Sequence, residues 1–161
     1  MVSRGRLFGP LAVTVSVAAA VAGCASPPPK PPPPTIVQAS VEVAPNVNPD
    51  SRGRASPIVV KVFELKTLAT FNSADFFSLF EKDKDALGAE LLARDELQLK
   101  PKDSRKFERT MQPDTRYVGV IAGFRDLERA NWRAAVAVPL QQTTPVTIRV
   151  DARSISITAK P

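Results

Sequence analysis

The sequence predicts a mainly β protein, an antiparallel sandwich of about eight short strands with one amphipathic helix beside it. Two observations carry this prediction: apolar and polar residues alternate with a period of two in short segments, and turn-forming residues separate those segments. In one further stretch of the chain, the apolar residues follow helical spacing instead, which predicts the helix. Many short strands with turn signals between them favour a sandwich over a parallel α/β fold.

The first two strands are predicted from their side-chain pattern. Residues 36–43 alternate between an apolar and a polar face, which is typical of a half-buried strand. Residues 57–65 are rich in Val and Ile and predict a second strand. Between them, residues 44–56 form a polar loop that is long for a link between strands, and we expect it to be exposed and to contribute little to folding. The loop is either a functional surface or an irregular connection.

The helical segment contains a cluster of aromatic residues. Asn72 is predicted as its N-cap, with Asp75 three residues later in the capping-box position, and Gly88 is predicted to end it. The run of alternating charge over residues 81–85 predicts a solvated face, because its lysines oppose a calcium site. The cluster favours a core over a binding groove, and we expect at least two of its three rings to be buried. The three rings are Phe76, Phe77 and Phe80.

The rest of the chain returns to the period of two. Residues 117–124 are the most apolar segment and predict a central strand. Residues 125–131 predict a connection with one helical turn at most. The remaining predicted strands are residues 91–99, 105–111, 132–138, 146–150 and 154–158.

The amino-terminal segment predicts export and lipidation. Two arginines precede an apolar stretch, residues 7–21, that is too short to cross a bilayer comfortably. The tetrad Val21–Cys24 fits a bacterial lipobox, in which the cysteine thiol accepts diacylglycerol, so residues 1–23 are predicted to be a lipoprotein signal peptide. Cys24 would then carry three acyl chains, and two or more chains hold a protein stably on a membrane.

The residues after the cysteine predict the membrane in which the lipid is inserted and a stalk before the folded domain. Ala25 follows Cys24, so the aspartate that commonly retains lipoproteins in the inner membrane is absent, and we expect the periplasmic leaflet of the outer membrane. Residues 24–35 are predicted to form a polyproline stalk, whose prolines at 27–34 reach about 25 Å. The folded domain is predicted over residues 36–161.

The composition argues against an enzyme. The 161-residue chain has no histidine and one cysteine, so the commonest general base and the commonest zinc ligand are missing. It has no phosphate-binding loop and no nucleophile elbow. The net charge is +6, but no basic run is interleaved with aromatic residues, which argues against a nucleic-acid partner. We therefore expect no cofactor, no metal and no small-molecule substrate, apart from the covalent lipid on Cys24.

Several segments occur together in an order that is specific to one family. After the lipobox they are Asp75–Phe80, Leu87–Leu92, Pro113–Val120, Phe124–Leu127 and Trp132–Arg133. Together they closely resemble the TssJ family, the outer-membrane lipoproteins of the bacterial type VI secretion system, over about residues 36–161. The resemblance implies a transthyretin-like sandwich and a structural role in the trans-envelope complex. It also implies that the lipoprotein binds the periplasmic carboxy-terminal region of TssM, an inner-membrane protein.

The resemblance places the partner contact in the loop between the first two strands, here residues 44–57. The residues assigned to the contact by position are Asn46, Asn48, Asp50, Ser51, Arg52, Gly53 and Arg54. The alternative function is a periplasmic lipoprotein that binds carbohydrate or peptidoglycan through exposed aromatic residues. Aromatic residues outside the helix are few and mostly at core-facing strand positions: Phe63, Phe107, Tyr117, Phe124 and Trp132.

Overall fold

The computed structural model describes residues 30–160, which form eight strands in two four-stranded sheets. The strands are β1 (Ile36–Val43), β2 (Ile58–Leu65), β3 (Leu91–Leu99), β4 (Ser104–Thr110), β5 (Tyr117–Ala122), β6 (Arg133–Ala137), β7 (Thr143–Val150) and β8 (Ile155–Ala159). Sheet A has the order β4-β1-β7-β8, and sheet B has the order β3-β2-β5-β6. The predicted eight-stranded sandwich is confirmed, as is the central position of β5. The predicted signal peptide, Cys24 and the first part of the stalk lie outside the described residues.

One pair of strands departs from the antiparallel expectation. β1 runs parallel to β7, with Ile36 opposite Thr143 and Val43 opposite Val150. The other five neighbouring pairs are antiparallel. A parallel pair requires a crossover connection, and here β2 to β6 all lie between the two strands in sequence. The side-chain pattern of a strand does not reveal the direction of a neighbour that is so far along the chain.

The main core lies between the two sheets. On β1, four apolar side chains face inward, and the residues between them are exposed or half-buried, so the predicted alternation is confirmed. The inward residues of β1 are Val37, Ala39, Val41 and Val43. Inward residues of β2 and β5, including Val60 and Val120, meet them from sheet B. This alternation places each polar residue of β1 on the outer face of sheet A.

Three short helices replace the single predicted helix. They are α1 (Ala69–Ser73), α2 (Phe76–Glu81) and α3 (Asp83–Leu87), and a 3-10 turn follows over Gly88–Glu90. The prediction of Asn72 as N-cap is wrong, because Asn72 lies inside α1, and Asp75 caps α2 by accepting a hydrogen bond from the backbone nitrogen of Ser78. Ala74 between the helices is extended. Gly88 ends α3 with a φ of +51°, as predicted. None of these helices is long and apolar enough to span a membrane.

The break between α1 and α2 follows from packing on sheet B. The ring of Phe71 lies directly over Gly119 of β5, where an added Cβ would be 2.8 Å from the ring. Arg133 of β6 donates hydrogen bonds to the carbonyl oxygens of Phe71 in α1 and of Ala74, the residue after α1, so both find a partner outside the helix. These contacts hold the end of α1 on sheet B, and the chain turns there before α2 begins at Phe76.

The helices enclose a second apolar cluster against the outer face of sheet B. Its buried residues are Phe63, Leu65, Phe71, Leu79, Leu87 and Ile121. Of the three rings in the predicted aromatic cluster, Phe76 is buried, Phe80 is half-buried and Phe77 is 60% exposed. The expectation of at least two buried rings is therefore wrong, because α2 turns Phe77 to solvent and leaves Phe80 only half-buried.

The prediction of a solvated face over residues 81–85 is wrong at Asp83. This carboxylate is buried, accepts a hydrogen bond from Lys61 Nζ at 3.1 Å and pairs with Arg94. Lys61 is also buried in β2, and its Nζ donates to the carbonyl oxygen of Phe80 at 2.6 Å. Burial would raise the pKa of the Asp83 carboxyl, but hydrogen bonds from Lys61 and Arg94 outweigh it and hold the pKa below its usual range. A buried lysine needs such a partner, so β2 and α3 are joined through charge as well as apolar contact.

Candidate partner-binding surface

Four connections meet at one end of the sandwich, which we call the loop end. They are residues 44–57, 100–103, 123–132 and 151–154. They converge because every strand reverses the direction of the one before it in sequence, so the connections after β1, β3, β5 and β7 share an end. Backbone hydrogen bonds join them, from Asn48 to Ala152 and from Asn131 to Arg153. The 44–57 loop is therefore one part of a connected surface.

Asn48 fixes the base of the loop. Its side-chain nitrogen donates to the carbonyl oxygen of Pro57 at 2.9 Å, and its Oδ1 accepts from the backbone nitrogen of Arg125 at 2.8 Å. Asn48 is buried, and Val47 beside it is fully buried. The expectation that the loop is exposed and contributes little to folding is wrong at these two residues. The Asn48 side chain is occupied inside the protein, so we no longer expect it to contact a partner directly.

Asp50 organises the tip of the loop. Its Oδ1 accepts hydrogen bonds from the backbone nitrogens of Arg52 and Arg54, both at 2.9 Å, and its Oδ2 accepts from Arg54 Nε at 2.8 Å. These bonds, led by those from Arg54, hold the pKa of the Asp50 carboxyl below its usual range. Gly53 has a φ of +77°, a conformation that other residues adopt at a cost. The tip is thus a preformed turn when the carboxylate is ionised.

The two arginines of the tip differ in what they can offer a partner. Both are exposed, as are Asn46, Ser51 and Gly53. Arg54 already pairs with Asp50 at 2.8 Å, whereas Arg52 has no ion-pair partner within residues 30–160. Arg52 is therefore the better placed of the two to pair with a carboxylate on another protein.

The other connections add cations that the sequence did not assign to any site. Like Arg52, the residues Lys100, Lys102 and Arg125 have no ion-pair partner in the described part of the chain, whereas Arg153 pairs with Asp126 at 3.2 Å. These residues are far apart in sequence, and only the alternation of strand direction could have indicated that they share an end. Within residues 30–160, the loop end therefore presents four cations without an ion pair around a preformed turn, together with two exposed carboxylates that also lack one, Glu128 and Asp151.

The stalk joins the domain at the opposite end. Thr35, predicted as the last residue of the stalk, is buried, and its carbonyl oxygen accepts from the backbone nitrogen of Met111 at 2.8 Å. Its hydroxyl accepts from the backbone nitrogen of Gln141 at 2.8 Å. The prolines at 32–34 before it are exposed. β1 begins immediately after Thr35 and carries the chain to the loop end, a distance of about 25 Å.

Aromatic residues outside the helices occupy mostly interior positions. Phe63 and Phe124 are buried, and Phe107, Tyr117 and Trp132 are half-buried. Among the described residues, the exposed large apolar side chains are Phe77 and Leu140. This distribution does not favour the carbohydrate-binding alternative, because stacking on sugar rings requires exposed aromatic faces. Within the same residues, no group of three acidic, histidine or cysteine side chains is arranged to hold a metal ion.

Comparison with known proteins identifies the family. The T6SS-SciN family, described as type VI secretion lipoprotein (VasD, EvfM, TssJ), matches residues 35–153. No curated protein matches the chain. The crystal structure of the type VI lipoprotein TssJ1 from Pseudomonas aeruginosa is 40% identical, with a TM-score of 0.77 over 80% of this chain and 98% of that chain.

Two further solved structures share the fold. Lip from Serratia marcescens, described as a membrane-bound component of the type VI secretion system, is 27% identical, with a TM-score of 0.72 over 80% of this chain and 99% of that one. A chain in the structure described as the TssM C-terminal domain from EAEC is 21% identical, with a TM-score of 0.63 over 79% and 98%. The family match spans most of the described residues, and the family is one of structural lipoproteins, not enzymes. This chain therefore belongs to the TssJ family of type VI secretion lipoproteins.

Proposed function

We propose that this lipoprotein anchors the periplasmic carboxy-terminal region of TssM to the outer membrane. The lipid on Cys24 holds one end of the protein at the membrane, and the loop end binds TssM. The observation that supports the proposal is that Thr35, which ends the predicted stalk, and Val43, which leads into the 44–57 loop, lie at opposite ends of β1. Within the domain, the loop end is thus separated by the length of β1 from the residue that follows the stalk.

The chemistry of the loop end supports an acidic protein surface as its partner. Arg52 is exposed on a turn that Asp50 and Gly53 shape in advance, so little order has to be gained on binding. An arginine fork forms two parallel hydrogen bonds with a carboxylate, and the exposed Lys100 and Lys102 at the same end strengthen the attraction at long range. The name TssM on the EAEC structure that shares this fold, and the position of the loop between the first two strands, support TssM as that partner.

A titration of TssM tests the partner contact. The full mature chain, purified in detergent, is titrated with the carboxy-terminal region of TssM, and Arg52→Glu is compared with the parent. We expect Arg52→Glu to weaken binding at least tenfold, or about 1.4 kcal/mol, without a change in melting temperature. Lys106→Glu is the matched control, because it makes the same change of charge at an exposed residue on the outer face of sheet A. Equal losses for both variants, or none for Arg52→Glu, would place the contact elsewhere.

Labelling in cells tests the anchor separately. Cys24→Ser removes the thiol that accepts diacylglycerol, so incorporation of a fatty-acid analogue should be lost and the protein should leave the outer-membrane fraction. The membership of the chain in a lipoprotein family supports this expectation. Labelling that persists in the Cys24→Ser protein would show that the lipid is attached at another residue.

A further inference from the structure

The 44–57 loop alone is too small to form a stable interface. A specific protein–protein contact uses roughly 20–30 residues on each side and buries about 800 Å² per partner. Only seven residues of the loop are exposed. The partner that binds the loop must therefore also cover a neighbouring part of the domain.

An exposed aromatic ring lies beside the loop end. Helix α2 packs close to that end, because the ring of Phe80 lies 3.2 Å from the position of a Cβ on Gly123, the first residue after β5. The next ring of α2, Phe76, packs edge-on against Trp132 with centroids 5.3 Å apart. Trp132 belongs to the 123–132 connection, so α2 adjoins the loop end directly. Phe77, on the same helix, is 60% exposed.

Phe77 is held firmly although it is exposed. Its ring packs edge-to-face on Phe76 at 5.4 Å, and Phe76 in turn stacks on Phe80 at 4.9 Å. Asp75 caps the first turn of the helix, and Lys61 Nζ donates a hydrogen bond to the carbonyl oxygen of Phe80. A ring supported in this way loses little conformational freedom on binding. Aromatic residues of this kind dominate the energetic centres of protein interfaces.

We propose that Phe77 is an apolar anchor of the TssM-binding surface. The ring enters an apolar pocket on TssM whose acidic margin meets Arg52 and the free cations of the loop end. This inference rests on the proposed function, because it extends the same contact from the 44–57 loop across the 123–132 connection to α2. It also accounts for a large apolar ring that the domain leaves in water next to the end that faces its partner.

Alanine substitution of Phe77 tests the anchor in the same titration with the carboxy-terminal region of TssM. We expect Phe77→Ala in the full mature chain to weaken binding about tenfold or more, with an unchanged melting temperature. Leu140→Ala is the matched control, because Leu140 is the other exposed large apolar residue of the described chain and lies at the stalk end, in the connection between β6 and β7. That variant should bind TssM like the parent.

The outcomes separate this inference from the proposed function. Parent-like affinity of Phe77→Ala, together with weak binding by Arg52→Glu, would overturn the anchor and leave the proposed function standing. No binding by the parent would overturn both. Loss of affinity by Leu140→Ala as large as that of Phe77→Ala would also overturn the anchor, because the effect would then not be local. If Phe77→Ala instead abolishes self-association in sedimentation or retention on peptidoglycan, with TssM affinity unchanged, the ring serves another partner and the inference is wrong.

Discussion

The outer faces of the two sheets are built in opposite ways. β1 in sheet A alternates between buried inward residues and exposed or half-buried outward residues. β2 in sheet B has the same length, yet only Val59 escapes full burial, because the helices cover its outer face. A strand covered on both faces has a nearly continuous run of apolar residues, whereas a strand with one solvent-exposed face alternates between apolar and polar residues. Because β2 is covered on both faces, its charged residue Lys61 is tolerated only with a buried partner of opposite charge, Asp83.

The same type of ion pair occurs on both outer faces. Lys61 and Asp83 lie between sheet B and α3, with side chains 8% and 2% exposed and a separation of 3.1 Å. Arg149 and Glu42 lie on the outer face of sheet A, with side chains 60% and 47% exposed and a separation of 2.9 Å. The distances are nearly equal, so distance does not explain a difference in how much the two pairs stabilise the fold. Exposure to solvent explains it, because water and salt screen an exposed pair, whereas a buried charge is not screened.

The largest effect should come from removing a ring under the helical cover. Phe71 is fully buried between α1 and sheet B, and Phe71→Ala should lower the free energy of unfolding by about 3–5 kcal/mol. Phe77→Ala makes the same chemical change at an exposed position and should alter it by less than about 0.5 kcal/mol. Urea unfolding of both variants measures the difference. Similar losses for both would mean that the helices do not pack on sheet B as described.

The next effect should come from breaking the buried pair. Asp83→Asn leaves the charge of Lys61 buried, with the Phe80 carbonyl and Glu96 as its remaining neighbours, and should cost about 3 kcal/mol. Adding Lys61→Met removes that buried charge, so the double variant should recover much of the loss in the same unfolding experiment. A double variant as unstable as the sum of its two single changes would contradict the coupling of these residues.

Acid should remove the contribution of the buried pair in the parent. The pKa of Asp83 is lower in the folded protein than in the unfolded chain, so its stabilising effect is present above the unfolded value and is lost as the pH falls through the folded value. The stability difference between the parent and Asp83→Asn should therefore stay constant near neutral pH and shrink below about pH 4. Thermal unfolding at a series of pH values measures it, and a difference that widens in acid would argue against this assignment.

The smallest effect should come from the pair on the open face. Glu42→Gln removes the charge opposite Arg149, and we expect a change of about 0.5 kcal/mol or less in the free energy of unfolding. The change should also become smaller as salt is added, since the pair is exposed. A loss comparable with that of Asp83→Asn would show that exposure is not what separates the two faces.

Much of the fold and part of the candidate surface could be predicted from local sequence. The alternation over residues 36–43 predicted β1 with its ends, since its period depends on residues two apart. The positive φ of Gly53 and of Gly88 follows from the freedom of a glycine backbone at a turn and a helix end. The order of motifs predicted the family, which the comparisons confirmed.

Other features depended on residues that are distant in sequence. The predicted helix is broken into three because Phe71 packs over Gly119 of β5, whereas the rings of α2 pack on Gly123 and Trp132 of the 123–132 connection. Lys61 and Asp83 are 22 positions apart, and Asn48 and Arg125 are 77 apart, so neither partner could be read from the pattern around the other. The exposure of Phe77 could not be predicted from the sequence either, because helical spacing shows which residues share a face of the helix but not which other element covers that face.

The sequence by itself determined the order and approximate positions of the strands, the family and the arginines of the 44–57 loop, although β7 begins at Thr143 and not at the predicted residue 146. The tertiary structure alone decided that β1 and β7 are parallel, that Asn48 and Asp83 are interior, and that exposed cations from several connections share the loop end. The physical reason is the range of the forces involved. Backbone conformation and side-chain alternation depend on near neighbours, whereas burial and charge pairing depend on whichever segments the packing of the two sheets brings together.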